Sequence, residues 1–102
     1  MTVNYEGAKP FVSDFLQSIK KQDTHQYDLL IINDNFPSII LKGLNVNVNE
    51  IIISERMQPS TIRYKGLIYA VKNNYQYIIF SDIDDSFTSN RISLTMRGLE
   101  KY

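Results

Sequence analysis

The stretch that decides the fold is residues 77–85, with the sequence YIIFSDIDD. It begins as an apolar run of β-branched and aromatic residues, which is typical of a buried strand. It ends with three carboxylates, those of Asp82, Asp84 and Asp85. Because an unpaired carboxylate is costly to bury, we expect the strand to stop near Phe80 and to deliver the acids to a sheet edge, where α/β proteins bind ligands. A hard cation such as Mg²⁺ or Mn²⁺, together with a phosphate, is the natural partner of such a cluster.

Composition limits the class of protein. The chain has 102 residues, enough for one small domain or a piece of a larger one. Eleven basic and eleven acidic side chains cancel, so charge gives no argument for a nucleic-acid partner. The absence of cysteine excludes disulfides and thiolate metal sites and fits a reducing cytoplasm. No apolar stretch approaches the roughly 20 residues that span a bilayer. We therefore expect a cytoplasmic protein without a transmembrane segment.

The rest of the chain alternates between the two periodicities of secondary structure. Strands are predicted at residues 1–5, 27–32, 50–53 and 77–80, and helices at residues 9–22, 61–73 and after residue 89, with a short helical turn at residues 39–41. This alternation predicts one α/β domain over residues 1–102, with a three-layer, mostly parallel sheet and right-handed crossovers. The second strand also ends in polar residues, Asn33 and Asp34, so two polar loops should lie side by side at a nucleotide-type crevice.

Four patches of the sequence resemble, in the right order, the amino-terminal half of a family 2 glycosyltransferase with the GT-A fold. The first four residues, MTVN, and the YEG that follows resemble the end of the family's first strand and its loop, and FVSDFLQSIKKQ resembles its first helix. The segment YDLLIINDN resembles the second strand with its acidic pair. The most specific patch is STIRYKGLIYAVKNNYQYIIFSDIDD, which is similar to the family pattern SAARNIGIKYAKGEYIAFLDSDD.

The resemblance implies a binding site for a nucleoside-diphosphate sugar. Asp82 and Asp84 match the family's DxD motif, which holds the diphosphate through Mg²⁺ or Mn²⁺, with Asp84 as the direct ligand and Asp85 as an extra acid. Asp34 would contact the base or ribose, and Arg63 stands at an arginine that lies close to the nucleotide. A divalent cation would stabilise the charge that develops on the leaving diphosphate.

The resemblance also implies what this chain should lack. It covers about half of the family's catalytic domain, so we expect a partial domain that is inactive alone, with no catalytic residue of its own and a base beyond Tyr102. The donor is expected to be a UDP-sugar, although Asn33 stands where the family has an aspartate and leaves the base open. The acceptor would be a glycan or a lipid-linked molecule, as in cell-surface polysaccharide synthesis. The longer protein would lie in the cytoplasm or peripherally at the inner face of the membrane.

Two other functions compete with this interpretation. The sequence IIFSDIDDSF also resembles motif I of haloacid dehalogenase-type phosphatases, in which Asp82 would be the nucleophile and Asp84 the general acid/base. Against this, Asp85 replaces the motif's glycine and Ser86 its threonine. The third possibility is a nucleotide-binding module without catalysis. An exposed edge of its sheet would also favour self-association.

Overall fold

Short strands and helices alternate along the chain in the computed structural model, which describes residues 1–35 and 44–101. The elements are β1 (Thr2–Asn4), a 3₁₀ helix (Glu6–Phe11), α1 (Val12–Lys20), β2 (Asp28–Asp34), β3 (Asn47–Ile53), α2 (Pro59–Lys72) and α3 (Arg91–Glu100). The three strands form one parallel sheet in the order β1-β2-β3. The predicted α/β class with a parallel sheet is therefore confirmed.

Helices cover both faces of this sheet. On one face, Phe15 and Ile19 of α1 pack against Leu29 and Ile31 of β2. On the other face, Ile62 of α2 packs against the sheet. Strand β2 is buried on both faces because it is the middle strand, which explains why its sequence is almost continuously apolar.

Helix α2 lies unusually close to the sheet at Gly66. A Cβ atom on this glycine would lie 3.2 Å from the Ile32 Cδ1 atom and would overlap the sulfur of Met1. The helix can approach the sheet this closely because the glycine has no side chain. This close approach fixes the distance between the middle of α2 and the sheet.

The predicted buried strand at residues 77–80 is wrong in two respects. The segment forms no strand, and Tyr77 and Phe80 are 42% and 49% exposed. Its backbone is nevertheless tied to the start of β1: the Met1 nitrogen donates to the Ile79 carbonyl at 2.7 Å, and the Ser81 N–H donates to the Met1 carbonyl at 3.0 Å. The segment therefore flanks the sheet in the position of a fourth strand. Two bonds to one residue are too few for a ladder, and its outer side chains face solvent.

Several predicted boundaries also change. The helix expected at residues 9–22 is 3₁₀ as far as Phe11 and α-helical only from Val12, in keeping with Pro10 near its start. Helix α2 begins at Pro59 after Gln58, two residues before the predicted start, because proline suits the first helical position. Strands β2 and β3 extend further than predicted. The helical turn expected at residues 39–41 lies outside the described residues.

Candidate functional site

Five predicted site residues from three parts of the chain line one cleft of about 710 Å³: Asp34, Arg63, Asp82, Asp84 and Asp85. We call it the acidic cleft. Asp34 is the last residue of β2, Arg63 lies on α2, and the three other acids follow the segment that flanks β1. The cleft therefore opens at the carboxyl edge of the parallel sheet, the usual ligand edge of such sheets.

The three neighbouring acids form a tight cluster in a turn. One carboxylate oxygen from each of Asp82, Asp84 and Asp85 lies within 4.8 Å of the others, and all three side chains are exposed. The Asp85 N–H donates to the Asp82 carbonyl at 3.0 Å, which closes the turn. Ile83 between them is 2% exposed and packs into the core on the α1 side of the sheet. This buried side chain anchors the turn and leaves the three carboxylates on its outer surface.

The donor chemistry of this cluster fits a hard divalent cation, since Mg²⁺, Mn²⁺ and Ca²⁺ prefer carboxylate oxygens. Two negative charges about 4 Å apart in water repel each other by about 1 kcal/mol. A cation among the three oxygens of Asp82, Asp84 and Asp85 would replace this repulsion by attraction.

Asp34 is held by its neighbour Asn35. The Asn35 side-chain amide donates to the Asp34 Oδ1 atom at 2.9 Å and to the Glu55 carbonyl at 2.9 Å. The backbone N–H of Asn35 donates to the Ile53 carbonyl at 2.8 Å. Asn35 adopts a left-handed conformation with φ of 51°, which asparagine tolerates better than most residues. The loop after β2 therefore fixes the orientation of the Asp34 carboxylate.

Positive charge also reaches the acidic cleft. Pro59, at the amino end of α2, lines the cleft together with Arg63, and the first turn of this helix contains no acid. A helix amino terminus carries a partial positive charge that favours anions. Arg91 at the start of α3 lines the cleft as well, and its guanidinium lies 5.0 Å from the centre of the Phe87 ring. Sequence reasoning did not identify Arg91, because no motif surrounds it.

Asn33, which the sequence suggested as a possible site residue, is turned into the protein. It is fully buried; its Oδ1 accepts from the Asn4 side chain at 2.9 Å, and its Nδ2 donates to Glu50 at 2.9 Å. Asn33 is not among the residues that line the acidic cleft. The Asn33 amide therefore belongs to a row of hydrogen-bonded side chains, one from each strand: Asn4, Asn33 and Glu50.

Two buried polar side-chain atoms of β1 have no hydrogen-bond partner among the described residues, Thr2 Oγ1 and Asn4 Oδ1. Thr2 lines the acidic cleft, although its side chain is only 1% exposed. An unpaired buried polar atom costs roughly 1–3 kcal/mol. Such atoms are rare in folded proteins, and both of these belong to β1.

Comparison of the chain with protein-family models, curated proteins and solved structures gives no match. Among the helices of residues 1–35 and 44–101, none has the length and apolar character needed to cross a bilayer.

Proposed function

We propose that the acidic cleft binds a nucleoside-diphosphate sugar with Mg²⁺ or Mn²⁺, and that this chain is the donor-binding part of a glycosyltransferase similar to family 2. One observation carries the proposal. Asp34, Arg63, Asp82 and Asp84, which the family resemblance selects from separate parts of the sequence, line the same cleft. The GT-A fold is part of the proposal, and the parallel sheet with helices on both faces is compatible with it.

The proposed roles follow from the chemistry of each group. Asp84 and Asp82 would hold the cation, and Asp85 would offer a further oxygen from the same turn. The bound cation would supply charge neutralisation for the diphosphate and for the charge that develops on it during transfer. Arg63 and the amino terminus of α2 would face the phosphates. Arg91 would add a second guanidinium.

Asp34 would bind the nucleoside through its carboxylate. Its Oδ1 atom is occupied by Asn35, so Oδ2 is the acceptor that a ribose hydroxyl or a base N–H would use. We propose a UDP-sugar as the donor, a glycan or lipid-linked acceptor, and a cytoplasmic site of action. We assign no catalytic base among the residues that line the acidic cleft, so binding without turnover is what we propose for these residues alone.

The test is a thermal-shift panel of UDP, GDP, dTDP and CDP, each with and without Mn²⁺. A ligand that binds only the native state raises its stability by mass action. We expect one nucleotide to shift the melting temperature only with the metal present. The shift should disappear in Asp84→Asn and persist in Asp14→Asn, which removes an exposed acid on α1 outside the cleft.

Three other results would change the assignment. If no nucleotide shifts the melting temperature of a sample that unfolds cooperatively, with or without Mn²⁺, the proposal is overturned. Release of inorganic phosphate from a simple phosphate ester, lost in Asp82→Asn, would favour the phosphatase. A nucleotide shift that does not need the metal and persists in Asp84→Asn would favour a nucleotide-binding module with a different site.

A further inference from the structure

Helix α2 has a second apolar face, which the sheet does not cover. Its inner face contains Ile62, Gly66 and Ala70, which are buried. On the outer face, four apolar side chains recur at i, i+3, i+4 and i+7, the spacing of one side of a helix. They are Tyr64, Leu67, Ile68 and Val71, and they are 60%, 39%, 37% and 75% exposed. We call these four residues the outer stripe of α2.

The outer stripe lies on the molecular surface because the other helices pack elsewhere. Helix α1 packs on the opposite face of the sheet. Helix α3 is joined to the end of α1, since the Ile92 N–H donates to the Gln22 side chain. Among the described residues, α2 is the only helix in the hydrophobic cluster on its own face of the sheet. Contiguous apolar surface of this kind marks an interaction site.

Every charged side chain of α2 is basic. Its sequence, PSTIRYKGLIYAVK, contains Arg63, Lys65 and Lys72 and no acid, although basic and acidic residues are equal in number over the whole chain. Arg63 lines the acidic cleft. Lys65 and Lys72 are exposed and stand three residues before and four residues after Ile68, so both lie directly beside the outer stripe.

Apolar side chains flanked by lysines define the chemistry of the partner. We propose that the outer stripe binds an anionic lipid surface, with α2 lying in the plane of the headgroups. The stripe would insert among the upper acyl chains, and Lys65 and Lys72 would contact anionic headgroups, as in interfacial amphipathic helices. Lysine stems can lie along apolar surface while their ammonium groups stay in the polar layer. Tyr64 suits the same boundary, because its ring is apolar and its hydroxyl is polar.

This inference is independent of the proposed nucleotide site. Neither the four residues of the outer stripe nor the two lysines line the acidic cleft. Loss of nucleotide binding would therefore leave the lipid proposal intact, and loss of lipid binding would leave the nucleotide proposal intact.

A second copy of this chain fits the outer stripe less well than a lipid surface. A two-fold contact places the same patch of both copies face to face. Lys65 and Lys72 would then approach the lysines of the other copy, and α2 offers no carboxylate to pair with them. Like charges oppose such a contact, whereas an anionic lipid surface attracts each lysine.

The experiment is co-sedimentation of the 102-residue chain with lipid vesicles. One set contains equimolar phosphatidylglycerol and phosphatidylcholine, and the other contains phosphatidylcholine alone. A lysine near an anionic surface contributes roughly fivefold to binding, or about 1 kcal/mol, so we expect the anionic vesicles to bind at least roughly tenfold more tightly. Added salt should weaken this binding, because it screens exposed charges.

The first pair of variants tests the apolar part of the surface. Val71→Glu should lower binding to anionic vesicles at least about tenfold, because it removes an inserted side chain and adds a repelled charge. Leu94→Glu makes the same kind of change on α3, where the side chain is 52% exposed. This control should change binding by less than about twofold, since its charge lies far from the lipid.

The second pair tests the lysines. Replacing both Lys65 and Lys72 by glutamine should lower binding to anionic vesicles roughly 25-fold and leave binding to phosphatidylcholine unchanged. Lys20→Gln combined with Lys21→Gln removes the same charge from exposed positions at the end of α1, on the opposite face of the sheet, and should have a much smaller effect.

Four results would overturn the proposal. They are an absence of binding to anionic vesicles, equally strong binding to phosphatidylcholine, equal binding by Val71→Glu and Leu94→Glu, and equal effects of the two lysine pairs. In sedimentation without lipid, a lower weight-average mass for Val71→Glu than for the unaltered chain would identify a second copy as the partner and would also contradict it. The lysine variants alter only exposed side chains, so the test stands even if Val71→Glu fails to fold.

Discussion

The Oε1 atom of Gln22 accepts a hydrogen bond from the Ile92 N–H at 3.2 Å. Gln22 is 3% exposed, and its side-chain nitrogen donates to the carbonyls of Ser18 at 3.1 Å and Thr88 at 2.8 Å. One buried amide thus joins the end of α1 to the start of α3. Arg91, which precedes Ile92, is held at the acidic cleft by this connection.

Replacing Gln22 by methionine should destabilise the fold. The change keeps the length of the side chain but leaves the Ile92 N–H and the Thr88 carbonyl without these partners, and an unsatisfied buried group costs roughly 1–3 kcal/mol. Urea denaturation would measure the free energy of unfolding. Gln17→Met, at an exposed position of the same helix, is the control and should change it by less than about 0.5 kcal/mol. Equal effects of the two substitutions would contradict this role.

Asn35→Gly should keep the backbone conformation of residue 35 and remove only its side-chain hydrogen bonds. Glycine accepts the φ of 51° but cannot donate to Asp34, so stability should change little. If the proposed nucleotide site is right, affinity for the nucleotide should fall roughly 2- to 10-fold, the equivalent of one hydrogen bond. Calorimetric titration in the presence of Mn²⁺ would measure this. Asn74→Gly, at the other non-glycine residue described with a positive φ, should leave the affinity unchanged.

Two glycines in helices should respond oppositely to substitution. A Cβ atom on Gly98 would meet no packing neighbour of the described chain within 4 Å, so Gly98→Ala should stabilise the protein by roughly 0.5–1 kcal/mol through helix propensity. Gly66→Val should destabilise it by roughly 1–3 kcal/mol, since its side chain would collide with Ile32 and Met1. Thermal melts of both variants would test the pair. A stable Gly66→Val variant would show that α2 can move away from the sheet.

The Tyr75 hydroxyl should lose its proton at a higher pH than that of an ordinary tyrosine. Its hydrogen bond to Asp28, followed by burial, raises the pKa of Tyr75 to about 12 from 10.0. The protonated hydroxyl is favoured in the folded state, so its contribution to stability is fully present below pH 10 and is lost as the pH rises towards 12. An ultraviolet absorbance titration should show one tyrosine that ionises only as the pH approaches 12.

Substitutions at both ends of this hydrogen bond provide the controls. The late transition should vanish in Tyr75→Phe and move to lower pH in Asp28→Asn, which removes the negative charge. Burial also raises the pKa of Tyr27, so one perturbed tyrosine should remain in the Tyr75→Phe variant. An unchanged titration curve in Asp28→Asn would contradict the assignment.

Strand β3 is the expected site of self-association. It pairs with β2 on one side and with no other described strand, and Ile52 on it is 69% exposed. An exposed apolar edge invites pairing with another chain, and an edge lysine opposes it. We expect Ile52→Lys to lower the weight-average mass in sedimentation at high protein concentration. Val71→Lys adds the same charge on α2, where the side chain is 75% exposed, and should have no such effect.

Local patterns in the sequence were sufficient to predict the α/β class of the fold. The apolar run of residues 29–32 predicted a central strand, and the spacing of Phe15 and Ile19 predicted the buried face of a helix. The spacing of Ile62, Gly66 and Ala70 did the same for α2. These features depend on the period of the backbone, which neighbouring residues reveal. The same periodicity placed acids just after apolar segments, and therefore at the carboxyl edge of a parallel sheet.

Only the tertiary structure decided which of these polar groups meet. Asp34 and the turn at residues 82–85 share a cleft because β1 lies between their segments, and Arg91 joins them through the Gln22 connection. Asn33, next to Asp34 in sequence, points to the opposite face and bonds to buried Asn4. Residues 77–80 form an exposed flank rather than a buried strand. Among the described residues, the backbone hydrogen bonds that join this flank to the sheet involve only Met1. Pairing between distant segments determines such outcomes, and no local periodicity encodes it.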